Sequence, residues 1–174
     1  INTIVPRIKK YVYGFDEDKL EQVIADLLLK HKLTVSTAES CTSGLLAARL
    51  TDVPGSSKYF KGGSVCYSNE LKINDVGVKS DLIDRYGAVS EEVAEALAKN
   101  IAEKNNSDIG IGITGIAGPD GGSEKKPVGL VFVVIFYQKN LYIKKYNLTP
   151  DRTTNRELTV ILCLNEIRKI LMNS

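Results

Sequence analysis

The sequence is poor in the side chains that most often carry out catalysis and metal binding near neutral pH. Its 174 residues include one histidine and no tryptophan. Catalytic triads of the Ser-His-Asp kind, Cys-His pairs and histidine-rich metal sites all need a well-placed imidazole. The one histidine, His31, follows a leucine-rich segment and is expected to close the first helix. Any base catalysis by this chain therefore requires another side chain.

Cysteine is also scarce, and its three copies lie far apart in the sequence, at Cys41, Cys66 and Cys163. No two of them form a C-x-x-C pair, which argues against a disulfide framework and against a zinc site. Such thiols fit a reducing compartment. We therefore expect a cytoplasmic protein whose site holds no metal, with Cys163 packed in a helix core.

Neither a strong charge of one sign nor a long apolar run is present. The net charge is +2 with dispersed lysines, which is not the footprint of a nucleic-acid binder. The longest apolar run, Val128 to Tyr137, is too short to span a membrane and suits a buried strand. These features predict a soluble protein that contacts neither nucleic acid nor membrane.

The chain starts without methionine, at Ile1-Asn2-Thr3-Ile4. We expect it to be a piece of a longer protein or a processed form. Residues 1–14 are predicted to be a linker or arm, and residues 15–174 a single domain.

Apolar residues recur with helical spacing in some segments and form short runs in others. Helices are predicted from a cap at Asp16 to Leu28, from Ser40 to about Leu50, at 69–75 and 81–86, from a cap at Ser90, and from a cap at Thr149 with Pro150 next. Strands are predicted at 33–37, 63–67, 109–114, 128–136 and 141–146. This order predicts an α/β fold, a three-layer α/β/α sandwich on a mixed, mostly parallel sheet of about five strands.

The segment Glu39–Gly44 lies at the junction of the first strand with a helix and is rich in hydroxyl groups. Free backbone N–H groups at a helix N-terminus stabilise negative charge on a ligand or in a transition state. Ser40 could also act as a nucleophile. The alternative is that Ser40 or Thr42 only caps the helix.

Two further polar segments follow predicted strands in the same way. They are Tyr67–Lys72, after the second strand, and Thr114–Ser123, after the third. If the three strands are parallel, all three segments lie at the edge of the sheet where open α/β folds bind ligands. Their shared position predicts one common pocket.

Without a usable histidine, the bases available to Ser40 are lysine, tyrosine and the carboxylates. Lys72 and Tyr67 follow the second strand and would lie beside Ser40 if the first two strands are neighbours. A lysine base must be neutral, which means lowering its pKa from about 10.4 to roughly 7 or 8, at a cost on the order of 4 kcal/mol. The alternative is that Lys72 is an exposed residue of a short helix.

Two arginines, Arg152 and Arg156, are spaced to share one face at the start of the last helix. Together with the helix N-terminus they could bind a phosphate, or they are solvated surface residues. Another pattern, S-x-x-K at Ser123–Lys126, lies beside glycines and a proline and is interpreted as a solvated loop.

Long motifs identify a family resemblance that covers about Leu33 to the end. The chain resembles the CinA C-terminal domain family, which includes stand-alone nicotinamide mononucleotide deamidases. The matching segments are T-A-E-S-C-T-S-G at Thr37–Gly44, G-S-S-x-x-F at Gly55–Phe60, Y-S-N-E-x-K at Tyr67–Lys72, G-A-V-S at Gly87–Ser90 and G-I-A-G-P-D-G-G-S-x-x-K-P-V-G at Gly115–Gly129.

This resemblance implies hydrolysis of the carboxamide of nicotinamide mononucleotide to nicotinic acid mononucleotide and ammonia, without a cofactor or metal. It implies Ser40 as nucleophile and Lys72 as base, and it leaves Tyr67 and Glu39 as alternatives for orienting them. Ile1 to Leu20 resembles the connector that follows an upstream molybdopterin-binding-like domain in longer members. A homo-oligomer is left open.

The resemblance also implies the residues that contact the nucleotide. Backbone N–H groups after Ser40 would receive the oxyanion, Arg152 and Arg156 the phosphate, and the loop from Gly115 would enclose the substrate. The implied binding residues are Cys41, Thr42, Ser43, Gly44, Thr114, Gly115, Gly118, Pro119, Asp120, Gly121, Arg152 and Arg156.

The chain departs from the family pattern at two places. Ser43 replaces the second glycine of the turn, and Thr149-Pro150 stands where a glycine usually precedes the Asp-Arg pair. Ser43 adds a side chain where the backbone would approach a ligand. The competing interpretation is therefore a non-catalytic nucleotide-binding or regulatory domain of a two-domain protein.

Overall fold

The computed structural model of the protein describes residues 18–172. The predicted arm at 1–14 and the predicted cap at Asp16 lie outside the described residues. The helices are α1 (Leu20–His31), α2 (Leu45–Thr51), α3 (Asn69–Asn74), α4 (Ser80–Tyr86), α5 (Glu91–Asn105) and α6 (Arg152–Met172). The strands are β1 (Val35–Glu39), β2 (Phe60–Val65), β3 (Ile109–Gly115), β4 (Leu130–Tyr137) and β5 (Asn140–Asn147).

The five strands form one mixed sheet in the order β2-β1-β3-β4-β5. β1 is parallel to both β2 and β3, whereas β4 is antiparallel to β3 and to β5. The parallel part therefore brings the carboxyl ends of β1, β2 and β3 to one edge. The predicted fold class is confirmed.

Helices cover both faces of the sheet. On one face α1, α2 and α6 pack against Ile109, Ile111 and Ile113, which are each at most 1% exposed. On the other face α5 packs against β3 and β4, and α3 and α4 extend this layer. Burying an isoleucine side chain contributes about 1.5–3 kcal/mol. These three alternate residues of β3 therefore hold the layer of α1, α2 and α6 on the sheet.

Two glycines of β3, Gly110 and Gly112, face α5 across a very short distance. A Cβ atom added at Gly110 would lie 2.0 Å from the carbonyl oxygen of Ala98, and one at Gly112 would lie 2.2 Å from that of Ala94. These contacts are far too short for any side chain. The glycines allow α5 to pack directly on the strand.

The first two strands are displaced from their predicted positions. β1 begins at Val35 because Leu33 belongs to the turn that follows α1. In this turn the Leu33 N–H donates to the carbonyl of Leu28, and Lys32 adopts a left-handed conformation. β2 begins at Phe60 and not at the predicted Gly63. The apolar runs located both strands, but the helix-ending turn set the true start of β1.

The cap of α6 also differs from the prediction at Thr149. The side chain of Asp151 accepts a hydrogen bond from the N–H of Thr154 at 2.8 Å, and Thr149 Oγ1 accepts one from the N–H of Asp151 at 3.2 Å. Asp151 is therefore the capping residue, and the helix begins at Arg152. None of the helices within residues 18–172 is long and apolar enough to cross a membrane.

Candidate active site

The carboxyl ends of β1, β2 and β3 surround a cavity of about 200 Å³. Glu39, the last residue of β1, pairs with Val65 of β2 and with Ile113 of β3, which places the segments that follow side by side. The cavity is lined by Ser40, Cys41, Tyr67, Asn69, Lys72, Ala88, Val89, Thr114, Gly115, Ala117 and Arg152.

The turn after β1 is held by the buried carboxylate of Glu39. Its two oxygens accept hydrogen bonds from the backbone N–H groups of Gly44 and Leu46, both at 3.1 Å, and of Ala47 at 2.8 Å. A negative side chain at the N-terminus of α2 satisfies free N–H groups and complements the helix dipole. The helix cap is therefore Glu39, and the prediction that Ser40 or Thr42 provides it is wrong.

This arrangement also separates Glu39 from the reacting groups. Among the described hydrogen bonds its carboxylate meets only the α2 backbone and neither Ser40 nor Lys72. Since Ser40 follows directly in the chain, Glu39 fixes the direction in which the serine side chain leaves the turn. The carboxylate of Glu39 therefore contacts the backbone after the Ser40 turn, and it forms no hydrogen bond with the side chains it was predicted to orient.

Lys72 reaches Ser40 across the base of the cavity. Its Nζ lies 3.1 Å from Ser40 Oγ, 2.9 Å from the carbonyl oxygen of Cys66 and 3.3 Å from that of Tyr67. A neutral amine has two N–H groups and one lone pair. If its two N–H groups donate to the two carbonyls, the remaining lone pair can accept the proton of the Ser40 hydroxyl.

Burial of Lys72 favours this neutral form. The residue is 2% exposed and forms no salt bridge among the described residues. Loss of hydration lowers the pKa of the Lys72 amine below its ordinary value of 10.5, against a smaller raising effect from Cys66, Cys41 and Tyr67. The alternative interpretation of Lys72 as an exposed surface lysine is wrong.

Two backbone N–H groups lie next to Ser40 without an oxygen acceptor. Within residues 18–172, the amides of Cys41 and Thr42 donate to no oxygen, whereas that of Ser40 donates to the carbonyl of Ile113 at 3.0 Å. Both free amides lower the pKa of the Cys41 thiol, but its burial prevails and raises that pKa to about 12. Of the two residues, Cys41 lines the cavity, so its amide is the one that a ligand oxygen can approach there.

Arg152 joins the cavity to the loop that follows β3. Its guanidinium donates to the hydroxyl of Tyr67 and to the carbonyl oxygen of Gly118, both at 3.0 Å. The Tyr67 side chain is 54% exposed at the cavity mouth. Tyr67 therefore contacts Lys72 through its carbonyl and Arg152 through its hydroxyl.

Arg156 does not join Arg152 in lining the cavity. Its Nη2 donates to the carbonyl oxygen of Thr42 at 3.1 Å, so it braces the Ser40 turn from α6. Thr42 does not line the cavity either, and its buried Oγ1 has no hydrogen-bond partner among the described residues. Only Arg152 of the two arginines lines the cavity, and the binding of a phosphate by the pair stays a prediction.

The glycine-rich loop leaves the cavity earlier than predicted. Gly115 and Ala117 line it, but the chain then turns away because the Gly129 N–H donates to the Ile116 carbonyl and closes the loop on itself. Beyond Gly118, the loop surrounds a separate open depression of about 400 Å³, lined by Pro119, Asp120, Gly121, Gly122, Ser123, Pro127 and Val128. Pro119, Asp120 and Gly121 therefore do not line the cavity, and their contact with a nucleotide stays a prediction.

Four lining residues were not predicted: Asn69, Ala88, Val89 and Ala117. All four lie within the Y-S-N-E-x-K, G-A-V-S and G-I-A-G-P-D motifs, so motif membership was an available signal. Thr114, which was predicted, is fully buried and donates through Oγ1 to the carbonyl of Ala88 at 2.8 Å. No group of three or more metal-ligating side chains occurs within the described part of the chain.

Comparison with known proteins assigns the family. A model of the CinA C-terminal domain matches residues 17–171. The chain belongs to the CinA C-terminal domain family. A CinA-like protein of Dictyoglomus thermophilum is 46% identical over 173 residues, which is 99% of this chain and 42% of that protein. A putative competence-damage inducible protein of Halothermothrix orenii is 48% identical over 160 residues, or 91% of this chain and 39% of that protein.

Solved structures of CinA-type proteins share the fold along almost their whole length. The competence/damage inducible protein CihA of Agrobacterium tumefaciens superposes with a TM-score of 0.83 at 34% identity, over 92% of this chain and 99% of that one. A competence or damage-inducible protein of Enterobacter asburiae gives a TM-score of 0.84 at 30% identity, over 87% and 96% of the two chains. By contrast, this chain spans about two fifths of the curated relatives named above.

The departure from the CinA pattern at Ser43 has a structural consequence. Ser43 has a φ of 52° and Gly44 a φ of 86°, so both lie in the left-handed region. The Ser43 hydroxyl turns back to donate to the Ser40 carbonyl at 3.3 Å and does not line the cavity. The substitution therefore strains the backbone, and it does not narrow the cavity.

We expect Ser43→Gly to raise the free energy of unfolding by about 0.5–1 kcal/mol. The left-handed conformation costs a non-glycine residue roughly 1–2 kcal/mol, and glycine removes this strain. Glycine also loses more conformational entropy on folding, so the net stabilisation is smaller than the strain. Urea unfolding of the wild type and the variant measures the difference. Ser43→Ala keeps the strain and loses the hydroxyl contact, so a stabilisation by alanine equal to that by glycine would contradict this explanation.

Proposed function

We propose that this domain is a serine amidohydrolase that converts nicotinamide mononucleotide to nicotinic acid mononucleotide and ammonia. The observation that carries the proposal is the 3.1 Å contact between Ser40 Oγ and Lys72 Nζ. A nucleophile and a base in hydrogen-bond contact, with burial lowering the pKa of the base, satisfy the chemical requirement for acyl transfer. The substrate follows from the resemblance to the deamidases of the family.

In the first step Lys72 removes the proton from Ser40, and Ser40 Oγ attacks the carboxamide carbon. The negative oxygen that forms would be received by the backbone amide of Cys41, which lines the cavity next to the nucleophile and donates to no oxygen of the described residues. The Lys72 ammonium then returns the proton to the departing nitrogen, and ammonia leaves. The result is an ester between the substrate acyl group and Ser40.

In the second step a water molecule gives a proton to Lys72 and attacks the ester carbon. The ester bond breaks, Ser40 recovers its proton from Lys72, and the carboxylic acid is released. Lys72 thus acts twice as base and twice as acid, and the reaction consumes one water. The pyridinium charge of the substrate disfavours a protonated Lys72 and supports its neutral form.

The size and charge of the cavity suit one end of a nucleotide. A cavity of about 200 Å³ is smaller than the ~300–1,000 Å³ of complete small-molecule sites, so it would take the nicotinamide ring and leave the sugar and phosphate at its mouth. Arg152 lies at that mouth beside Tyr67. Its guanidinium would bind the phosphate through charge-assisted hydrogen bonds.

The direct test is incubation of the purified protein with nicotinamide mononucleotide, measuring ammonia and nicotinic acid mononucleotide together. Equal amounts of both products are expected. Binding without turnover in calorimetry would instead favour the non-catalytic nucleotide-binding domain. We further propose that the domain acts in the cytoplasm without a cofactor, contacts no nucleic acid, and is joined in the full protein to a molybdopterin-binding-like domain.

We expect kcat to rise with pH along a one-proton limb whose midpoint lies below 10.5. Desolvation lowers the pKa of Lys72, and only its deprotonated form can accept the Ser40 proton. Rates at saturating substrate between pH 5 and 10 measure this limb. A rate independent of pH over the whole interval, or one that falls as pH rises through it, would contradict the role of Lys72 as base.

A further inference from the structure

Lys126 is bound to the wall of the cavity although it belongs to the glycine-rich loop. Its Nζ donates to the carbonyl oxygens of Tyr86 at 2.6 Å and Val89 at 2.7 Å, which are 40 and 37 residues away in the chain. The neighbouring Glu124 and Lys125 are exposed, whereas Lys126 is half-buried. The interpretation of Ser123–Lys126 as a solvated loop is therefore wrong for Lys126.

The wall segment 86–89 is held by side chains at every carbonyl. Lys126 Nζ donates to the carbonyl oxygens at the two ends of the segment, those of Tyr86 and Val89. The Ser90 hydroxyl donates to the carbonyl oxygen of Gly87 at 2.9 Å, and Thr114 Oγ1 donates to that of Ala88 at 2.8 Å. This segment contributes Ala88 and Val89 to the cavity. Because their side chains are small and apolar, the wall is shaped by where its backbone is held.

Lys126 is itself fixed at the base of the loop. Its N–H donates to Ser123 Oγ at 3.1 Å, and the Ser123 N–H donates to the Lys126 carbonyl at 2.8 Å. The other end of the loop starts at Gly115, in the cavity, and is held at Gly118 by Arg152. The loop is thus a bridge between the arginine at the cavity mouth and the wall opposite.

The charge of Lys126 is used in these contacts. Tyr86 is the last residue of α4, and a cation at a helix C-terminus interacts favourably with its free carbonyls. Lys126 forms no salt bridge within the part of the chain that the structure describes. A charge-assisted bond to a carbonyl is roughly twice as strong as a neutral one, and Lys126 supplies two such bonds to the wall.

We propose that Lys126 is a positioning residue that fixes the cavity wall at Ala88 and Val89 and thereby controls substrate binding. The proposal rests on the proposed deamidase function. Ala88 and Val89 line the cavity but take no part in the proton transfer between Ser40 and Lys72, so the wall would contribute to substrate binding and not to the chemical step. Loss of such an interaction raises KM and leaves kcat unchanged.

The test compares Lys126→Met with Lys125→Met, the matched change at the exposed neighbouring lysine. For Lys126→Met we expect KM for nicotinamide mononucleotide to rise about 10-fold, with kcat within about 3-fold and the pH limb of kcat unmoved. Lys125→Met should match the wild type in all three. Lys126→Arg retains donors for both carbonyls, so its KM should rise by no more than about 3-fold, which is half of the 10-fold increase on a logarithmic scale.

An unchanged KM for Lys126→Met, or a fall in kcat with KM unchanged, would overturn the proposal. If the methionine variant fails to fold, Lys126→Gln is measured with the same expectations. If the wild type releases no ammonia, the deamidase proposal fails separately, and hydrogen exchange decides the role of Lys126. Exchange at 87–90 and 116–127 should then be faster in Lys126→Met than in Lys125→Met, and equal exchange would overturn the inference.

Discussion

Ser40→Ala is expected to lower kcat for ammonia release by roughly 10⁴- to 10⁶-fold, the largest effect of any single change in this domain. The methyl group cannot attack the carboxamide, and no other described hydroxyl lies within hydrogen-bond distance of Lys72 Nζ. Ammonia release at saturating nicotinamide mononucleotide measures the loss. Calorimetry should show that the variant still binds the nucleotide, because the cavity wall and Arg152 are unchanged.

Ser43→Ala is the matched control for this change. Ser43 lies in the same turn, but its hydroxyl donates to the Ser40 carbonyl and does not line the cavity. Its loss should change kcat by less than about 10-fold, because Ser40 keeps its hydroxyl and its contact with Lys72. A Ser40→Ala variant with more than a tenth of the wild-type rate would exclude Ser40 as the nucleophile.

Lys72→Met is expected to lower kcat by about 10³- to 10⁴-fold while the protein remains folded. Methionine has nearly the same length and needs no hydration when buried. The variant loses the hydrogen bonds to the Cys66 and Tyr67 carbonyls, which costs about 1–3 kcal/mol for each acceptor left without a partner. This loss is partly offset because the variant no longer has to bury a group that is charged in the unfolded chain. Ammonia release and circular dichroism separate the two effects.

Two further variants show whether the loss is specific. Lys72→Arg keeps a cation but cannot give up its proton near neutral pH, so it should be as inactive as the methionine variant. Lys79→Met, at an exposed lysine just beyond α3, should keep the wild-type rate. An active Lys72→Arg would mean that position 72 supplies positive charge to the reaction and is not its base.

The same variant tests the protonation state through stability. The pKa of Lys72 is lowered in the folded protein, so between that pKa and about 10.4 the unfolded chain binds one more proton. The free energy of unfolding of the wild type should therefore rise with pH across this interval. Lys72→Met removes this contribution, and equal pH dependence in both proteins would mean that folded Lys72 is protonated.

Much of the architecture could be predicted because it depends on local pattern. Helical spacing of apolar residues and short apolar runs located the described helices and strands, and the polar segments after the first three strands predicted a shared edge. The capping of α5 by Ser90, which accepts from the Val93 N–H at 3.3 Å, was also predictable. Such features depend on residues close together in the sequence, so the sequence shows them directly.

The details of the site depend on residues that are distant in sequence. Glu39 caps α2 through the backbone, and Arg156 reaches the Ser40 turn from another helix. Lys126 leaves an exposed loop to bind the cavity wall. None of these partners is marked by a local pattern, because each contact depends on how the layers pack.

By itself the sequence predicted an α/β sandwich, singled out Ser40 and Lys72 as catalytic candidates through the family motifs, and showed that polar segments follow three strands. Only the tertiary structure decided that Lys72 is buried with its Nζ 3.1 Å from Ser40 Oγ, and that Arg152 alone of the two arginines lines the cavity. Residue types and their spacing limit the available chemistry. Burial and direction decide which group performs it, because both depend on neighbours that only folding brings together.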